Sequence, residues 1–97
     1  MAKYVLTNLA VEDLTDIWNY TFDEWSEEQA DKYYNFLLNA CQDISENPLF
    51  GKNYENVVSD LKGFRSGKHV IFYREISPNF IEVTRILHEK MDFKRKI

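Results

Sequence analysis

The strand-rich segment at residues 69–87 constrains the fold of this chain more than any other part of the sequence. It consists of two runs rich in Val, Ile, Phe and Tyr, separated by Ser-Pro-Asn at 77–79, a composition typical of a tight turn. We therefore predict an antiparallel hairpin. A shorter strand is predicted at 63–66, and Gly67 after it supplies the positive φ that a turn there requires. The other elements need a sheet to cover, and this hairpin is most of that sheet.

The charges of the hairpin bear on its register. A two-residue loop places Glu75 opposite Glu82, whereas a three-residue loop places Arg74 opposite Glu82. Directly opposed charges stabilise or destabilise a strand pair by roughly 0.2–1 kcal/mol according to their signs, so the three-residue loop is favoured. Because a one-residue slip also exchanges the buried faces, both registers stay open at this point.

Two amphipathic helices precede the hairpin. After a short strand at 3–7, apolar residues at three- and four-residue spacing predict a first helix that runs to about Trp25. A capping-box sequence, Ser-Glu-Glu-Gln at 26–29, opens the second helix, and Asn47-Pro48 ends it. Helices joined by so short a connection form an antiparallel pair.

The predicted order of elements is β-α-α-β-β-β, with residues 48–62 as a long loop that holds at most one helical turn. We predict an α+β fold in which the helical hairpin packs on one face of a small, mostly antiparallel sheet. A chain of 97 residues is expected to form a single domain over residues 1–97. It has no signal peptide and no run long enough to span a bilayer, so a cytoplasmic location without membrane contact is expected.

Charge is distributed unevenly along the chain. Residues 1–60 hold three lysines and twelve acidic residues, a balance of −9, whereas residues 61–97 hold nine basic and four acidic residues, a balance of +5. The acidic helices have an ordinary explanation as solvated surfaces, and the basic sheet half is suited to an acidic partner. A net charge of −4 disfavours tight binding to nucleic acid, and no sequence-specific DNA binding by this chain alone is expected.

Few side chains point to catalysis. No metal-ligand spacing or phosphate-binding loop is present, so we predict no metal and no cofactor. His69 and His88 are expected to meet across the hairpin, but two histidines are too few for a convincing metal site. Cys41, on the apolar face of the second helix, is expected to be a buried and unreactive thiol.

Several cations lie on or beside the predicted sheet, and such groups can stabilise a phosphate transition state. The competing interpretation pairs Arg74 with Glu82 and Arg85 with Glu75 in structural contacts. We favour pairing for Arg74, while Arg65 and Arg85 fit either role.

Segments 65–74 and 85–92 resemble the ParE branch of the RelE/ParE toxin superfamily, the first through Gly-Lys-His-Val-Ile-Phe-Tyr-Arg and the second through Arg-Ile-Leu-His-Glu-Lys-Met-Asp. Asp13-Leu14, Ile17-Trp18 and Trp25 of the first helix are similar to that family too. So is the second helix, rich in alanine, tyrosine and leucine, which ends in Asn-Pro and is followed by Gly51.

This resemblance implies a toxin of a type II toxin–antitoxin pair, with growth inhibition as its effect and plasmid stabilisation as its setting. ParE-type members inhibit DNA gyrase by binding, whereas RelE-type members cut mRNA on the ribosome. We expect gyrase inhibition with no catalytic residue; if the chain is instead a nuclease, the residues in question are Arg65, Arg85 and His88. The set looks incomplete for a nuclease, because no tyrosine follows Tyr73.

Two binding surfaces follow from the resemblance. Target contacts are expected from the C-terminal segment, at Met91, Phe93, Lys94 and Arg95. That segment is otherwise expected to be a short helix or a disordered tail that contributes little to the core.

A ParD-like antitoxin is expected to lay an amphipathic helix along the helical hairpin, with contacts at Phe22, Trp25, Tyr33, Tyr34 and Arg74. The aromatic residues of the two helices exceed what a small sheet needs, so some of them should be exposed. Trp18 is expected to lie in the core.

Overall fold

Five strands and three α-helices make up the part of the chain that the computed structural model describes, residues 2–97. In chain order they are β1 (Lys3–Leu6), α1 (Asn8–Glu24), α2 (Glu27–Glu46), a 3₁₀ turn (Pro48–Phe50), β2 (Lys52–Asn53), β3 (Lys62–Ser66), β4 (His69–Ser77), β5 (Phe80–His88) and α3 (Phe93–Lys96). The predicted α+β class and the order of the main elements are confirmed. The short strand β2 lies in what was predicted to be a loop, and the basic tail forms one helical turn.

The sheet has the strand order β1-β5-β4-β3-β2. β1 runs parallel to β5, and the three other pairings are antiparallel. The sheet is therefore mostly antiparallel, as predicted, with the first strand of the chain placed beside the last.

Both registers considered for the hairpin occur, each in a different part. The loop has two residues, Pro78 and Asn79, so that Ser77 pairs with Phe80, and Asn79 adopts a φ of 60°. A bulge at Ile76 then shifts the pairing and places Arg74 opposite Glu82. The predicted charge pair is correct, but the predicted three-residue loop is wrong because the bulge supplies the extra residue.

A second irregularity in β5 returns the pairing to its first register. Phe72 pairs with Arg85 and Tyr73 pairs with Val83, which leaves Thr84 as the extra residue. Beyond this point His69 lies directly opposite His88, as predicted.

Side-chain caps fix where the two long helices begin. The Thr7 hydroxyl accepts the Ala10 N–H at the start of α1, and the Ser26 hydroxyl accepts the Gln29 N–H at the start of α2. Thr7 also donates to the carbonyl of Thr84, which ties the start of α1 to β5.

The two faces of the sheet carry separate apolar clusters. We call the face covered by α1 and α2 the inner face; its cluster contains Ala10, Leu14, Leu37, Ala40, Cys41, Ile44, Ile71, Tyr73, Ile81, Val83 and Ile86. The outer face carries a smaller cluster of Leu61, Val70, Phe72 and Leu87, against which Tyr54 and Phe93 pack. Consecutive strand residues point to opposite faces, which is why Ile71 and Phe72 belong to different clusters.

Tyr73 joins the inner face to the connection after α2. Its hydroxyl donates to the carbonyl of Pro48 at 2.6 Å and accepts the N–H of Gly51 at 2.9 Å. A side chain at position 51 would collide with the Tyr73 ring, which explains the glycine there.

Cys41 is fully buried in the inner cluster, and burial raises the pKa of its thiol to about 12. This confirms the prediction of an unreactive thiol. Among residues 2–97 no helix has the length and apolar character to cross a membrane.

Candidate functional site

Two shallow clefts lie side by side on the outer face. The first, roughly 330 Å³, is lined by Lys52, Tyr54, Gly63, Arg65, Val70, Glu89 and Phe93. The second, roughly 350 Å³, is lined by Lys52, Asn53, Tyr54, Asn56, Val57, Met91, Asp92, Phe93 and Lys94. Tyr54 and Phe93 line both clefts, so this surface brings three of the four predicted target-contact residues, Met91, Phe93 and Lys94, to one place.

Three aromatic rings shape this surface. Phe93 makes edge contacts with Phe72 and Tyr54, with ring centroids 4.9 and 6.0 Å apart, and Tyr54 meets Phe72 at 5.1 Å. A Cβ at Gly63 would lie 2.7 Å from the Tyr54 ring, so glycine is what lets that ring lie on the sheet. The expectation that the tail contributes little to the core is wrong, because Phe93 covers the outer cluster.

Arg65 is the most accessible of the three candidate nuclease residues at the sheet. Its guanidinium forms a salt bridge with Glu89, while 68% of the side chain stays exposed. This ion pair forms one rim of the first cleft.

A hydrogen-bonded network occupies the inner edge near this rim. The Tyr33 hydroxyl lies 2.7 Å from Nδ1 of His69 and accepts the N–H of Lys68 at 3.0 Å. Burial, and secondarily the neighbouring His88, lowers the pKa of His69 from 6.5 to about 4. His69 is therefore neutral at pH 7, and its Nδ1 shares a hydrogen bond with the Tyr33 hydroxyl.

The two histidine rings meet edge to face with centroids 5.3 Å apart. Nδ1 of His88 accepts the N–H of Lys90 at 3.2 Å. Within residues 2–97 no group of three or more ligating side chains could hold a metal ion.

Arg85 is paired with Asp13 of α1, not with Glu75. Its Nε and Nη2 donate to the two carboxylate oxygens of Asp13 at 2.8 and 2.9 Å, a bidentate geometry, and Nη1 donates to the carbonyl of Lys96 at 2.7 Å. The hydrogen bond to Asp13 raises the pKa of Arg85. Asp13 also accepts the N–H of Ile86 at 3.0 Å. Because β1 pairs with β5 only as far as Val83, Asp13 takes the place of a strand partner for this backbone group.

The structure therefore does not assemble Arg65, Arg85 and His88 as three free groups. Arg85 and Asp13 are only 18% and 12% exposed, and the guanidinium is already bonded on all three nitrogens. Arg65 and His88 lie at the end of the sheet away from the hairpin turn.

The five predicted antitoxin-contact residues do not form one patch. Phe22 and Trp25, at the junction of α1 and α2, are 47% and 76% exposed. Tyr33 lies over the β3–β4 turn, and Tyr34 packs against the inner cluster. Arg74 follows Tyr73 on β4 and so points to the outer face, where it pairs with Glu82 at 3.2 Å.

Some helix aromatics are exposed, as predicted, but Trp18 is not a core residue. Its indole Nε1 donates to Asp31 of α2 at 3.0 Å, and its ring stacks on Phe22 with centroids 5.3 Å apart. The polar end of the indole needs a partner near solvent, which keeps Trp18 half-buried at the surface between the helices.

Three residues with clear roles here were not predicted as site residues from the sequence: Asp13, Tyr54 and Glu89. Asp13 had one usable signal, since it belongs to the helix segment that carries the family resemblance. Tyr54 and Glu89 lie in segments without a regular apolar period, which give no indication of what they contact.

Comparison with known proteins identifies the family. A family model described as "ParE toxin of type II toxin-antitoxin system, parDE" matches residues 4–93. The chain belongs to the ParE toxin family. It is 31% identical over 96 residues to Toxin ParE1 of Mycobacterium tuberculosis, covering 99% of this chain and 98% of that protein. It is 37% identical over 92 residues to Toxin ParE1 of Caulobacter vibrioides, covering 95% and 94%. The predicted ParE resemblance is confirmed.

Solved structures support the fold of this ParE family member. A chain from the chromosomal ParDE toxin–antitoxin system of P. aeruginosa superposes with a TM-score of 0.76 at 17% identity, covering 91% of this chain and 96% of its own. A chain of the RelBE2 toxin–antitoxin complex from Mycobacterium tuberculosis superposes with a TM-score of 0.69 at 18% identity, covering 91% and 98%. At these identities the likeness supports the shared α+β fold alone.

Proposed function

We propose that this ParE family toxin is neutralised by a cognate ParD-like antitoxin and inhibits DNA gyrase in the cytoplasm by binding to it, without bond-breaking chemistry of its own. The main support for the absence of catalysis is the way in which Arg85 is bonded. Three of its five N–H groups hold Asp13 and the Lys96 carbonyl, and its charge is paired with the Asp13 carboxylate, which disfavours the binding of a phosphate.

The outer face supports binding as the mode of action. Phe93 is fixed on the sheet, and the next two side chains, Lys94 and Arg95, are exposed. Cations presented beside an apolar cleft suit a protein surface with acidic groups. In this proposal Met91, Phe93, Lys94 and Arg95 contact gyrase.

An antitoxin partner is supported by two observations. The two solved relatives come from a ParDE system and from a RelBE2 toxin–antitoxin complex. In this chain the junction of α1 and α2 exposes Tyr20, Phe22 and Trp25, large apolar side chains of the kind that mark interfaces. We propose that an amphipathic antitoxin segment covers Phe22 and Trp25.

The test compares two activities of the same purified protein. Inhibition of gyrase supercoiling is measured beside cleavage of mRNA on programmed ribosomes. We expect inhibition of supercoiling and intact mRNA. Cleavage at the ribosomal A site that is lost in Arg65→Ala would instead establish the RelE-type endoribonuclease.

Charge-only variants locate the gyrase contact. Lys94→Gln/Arg95→Gln removes two cations but leaves Phe93 on the sheet, and it should weaken gyrase inhibition about tenfold or more. Lys3→Gln/Lys32→Gln, with the same charge change on β1 and α2, should inhibit like the wild type. Equal inhibition by both double variants would place the contact outside the tail.

A Trp25→Ala variant tests the antitoxin surface. Loss of a large exposed ring from an interface typically costs about 2 kcal/mol or more in binding, so the affinity for the antitoxin should fall about 30-fold. Gyrase inhibition should be unchanged. Trp25 follows the last residue of α1, whereas the part of α1 that is bonded to β5 is its start, at Thr7. Unchanged antitoxin affinity would remove Trp25 from the interface.

A further inference from the structure

The C-terminal helix is held at two points, one apolar and one polar. Phe93, at its start, packs on Phe72 and Tyr54. At its other end the carbonyl of Lys96 accepts Nη1 of Arg85. A single helical turn leaves its last carbonyls without partners inside the helix, and a cation there is favoured by the helix dipole as well.

Arg85 can hold that carbonyl because its own orientation is fixed. Its other two nitrogens grip both carboxylate oxygens of Asp13, and Asp13 is anchored by the N–H of Ile86. The guanidinium is a planar fork, so once two nitrogens are bonded the direction of the third is determined. Asp13 thus acts on a helix that begins eighty residues later in the chain, at Phe93.

We propose that Asp13 and Arg85 are positioning residues, a latch that keeps α3 on the sheet so that Lys94 and Arg95 face outward. This proposal rests on the proposed function, because those two cations are among the proposed gyrase contacts. It assigns to Arg85 a role distinct from contact with any target, and it explains why a basic residue at this place is nearly buried while Lys94 and Arg95 are exposed.

Two variants weaken the latch without removing a whole side chain. Arg85→Lys keeps the positive charge, but one ammonium group at the end of a flexible stem cannot reproduce the rigid fork. Asp13→Asn keeps the shape and removes the charge that fixes the guanidinium, while Arg85 itself stays in place. Asp16→Asn, on an exposed position of the same helix, is the matched control.

The first measurement is backbone ¹⁵N relaxation at Lys94, Arg95 and Lys96. In the wild type and in Asp16→Asn we expect order parameters near the rigid value of about 0.85, and in Arg85→Lys and Asp13→Asn values below about 0.6. The amides of Val70 and Ile71, near the start of β4, report whether each variant stays folded. Order parameters in α3 that do not change in a folded Arg85→Lys variant overturn the latch.

The second measurement is gyrase inhibition by the same proteins. Asp13→Asn and Arg85→Lys should require roughly tenfold more protein for half-maximal inhibition, and Asp16→Asn should match the wild type. The Asp13→Asn variant separates positioning from contact, since direct contact by Arg85 would leave its inhibition unimpaired. A loosened tail with full inhibition therefore overturns the positioning role. If the wild type does not inhibit gyrase at all, the proposed function fails, and the order parameters alone then decide the latch.

Discussion

The inner and outer faces of the sheet are closed in different ways. The inner face is covered by α1 and α2, two long helices that bury a continuous apolar cluster. Within residues 2–97 the outer face is covered by the loop that carries Tyr54 and by the single turn of α3, which together shield four buried residues. Two long helices therefore stabilise one side, and two aromatic side chains, Tyr54 from a loop and Phe93 from a single helical turn, stabilise the other.

This difference separates stability from recognition. Close packing under two helices leaves little freedom for the inner face, so substitutions there should act on folding. The outer cover has few buried contacts and contains the exposed cations of the tail, and such regions are the ones that can adapt to a partner. The outer face is thus where binding can change without loss of the fold.

Ile86 and Leu87 offer the sharpest test of this comparison, because they are consecutive, have the same number of carbon atoms and point to opposite faces. Each is 2% exposed. We expect Ile86→Ala to lower the free energy of unfolding by about 3–4 kcal/mol and Leu87→Ala by about 2 kcal/mol, since the outer cover can settle into the space. Urea denaturation of both variants gives the two values. Equal losses would show that the outer face is packed as rigidly as the inner one.

Phe93→Ala should have a smaller effect on folding and a larger one on function. Half-burial of the ring on the outer cluster sets the loss of unfolding free energy at about 1–2 kcal/mol, measured by urea denaturation. Because α3 loses its apolar anchor, gyrase inhibition should fall with it. A stability equal to that of the wild type would support the expectation from the sequence, a tail that contributes little to the core.

Acidification should lower the free energy of unfolding through His69, which lies on the inner side of the sheet. Burial, and secondarily His88, lowers the pKa of His69 to about 4 in the folded chain, while the nearby carboxylates of Glu89 and Asp13 act in the opposite direction. The Nδ1 of His69 also bonds Tyr33. The unfolded chain takes up the proton near pH 6.5, so stability is fully present above that pH and is lost as pH falls towards 4. Between pH 7 and pH 5 we expect a loss of about 1–2 kcal/mol, allowing for partial exposure. A chain with His69→Gln should lose less over the same interval, and identical pH profiles would exclude His69 as the cause.

The local patterns in this sequence predicted most of the inner side. Helix boundaries followed from apolar spacing and from the cap at Ser26, and both are short-range effects. The pairing of Arg74 with Glu82 was predictable from charge, although the bulge at Ile76 that produces it was not. The position of a bulge depends on how both faces of the sheet are packed, and the sequence of one strand does not reveal that packing.

The outer side and the latch were much less predictable. A basic tail with one phenylalanine has the same composition whether it docks or not, so the position of Phe93 depends on a sheet surface formed elsewhere. Asp13 and Arg85 are separated by 72 positions, and nothing in either neighbourhood indicates the partner. The two-residue strand β2 is too short to carry a periodic signal.

The parallel pairing of β1 with β5 affects the order in which the chain can fold during its synthesis. Among the described residues β1 pairs with β5, and Thr7 bonds Thr84 across 77 positions, so the first strand has no strand partner until the last strand exists. Contacts of such long range form late and slow the folding of a domain. During synthesis the helical hairpin can form early, while the sheet with its outer surface is completed only when nearly the whole chain has been made. A chain that ends before β5 therefore contains both long helices but lacks the strand that joins β1 to β4.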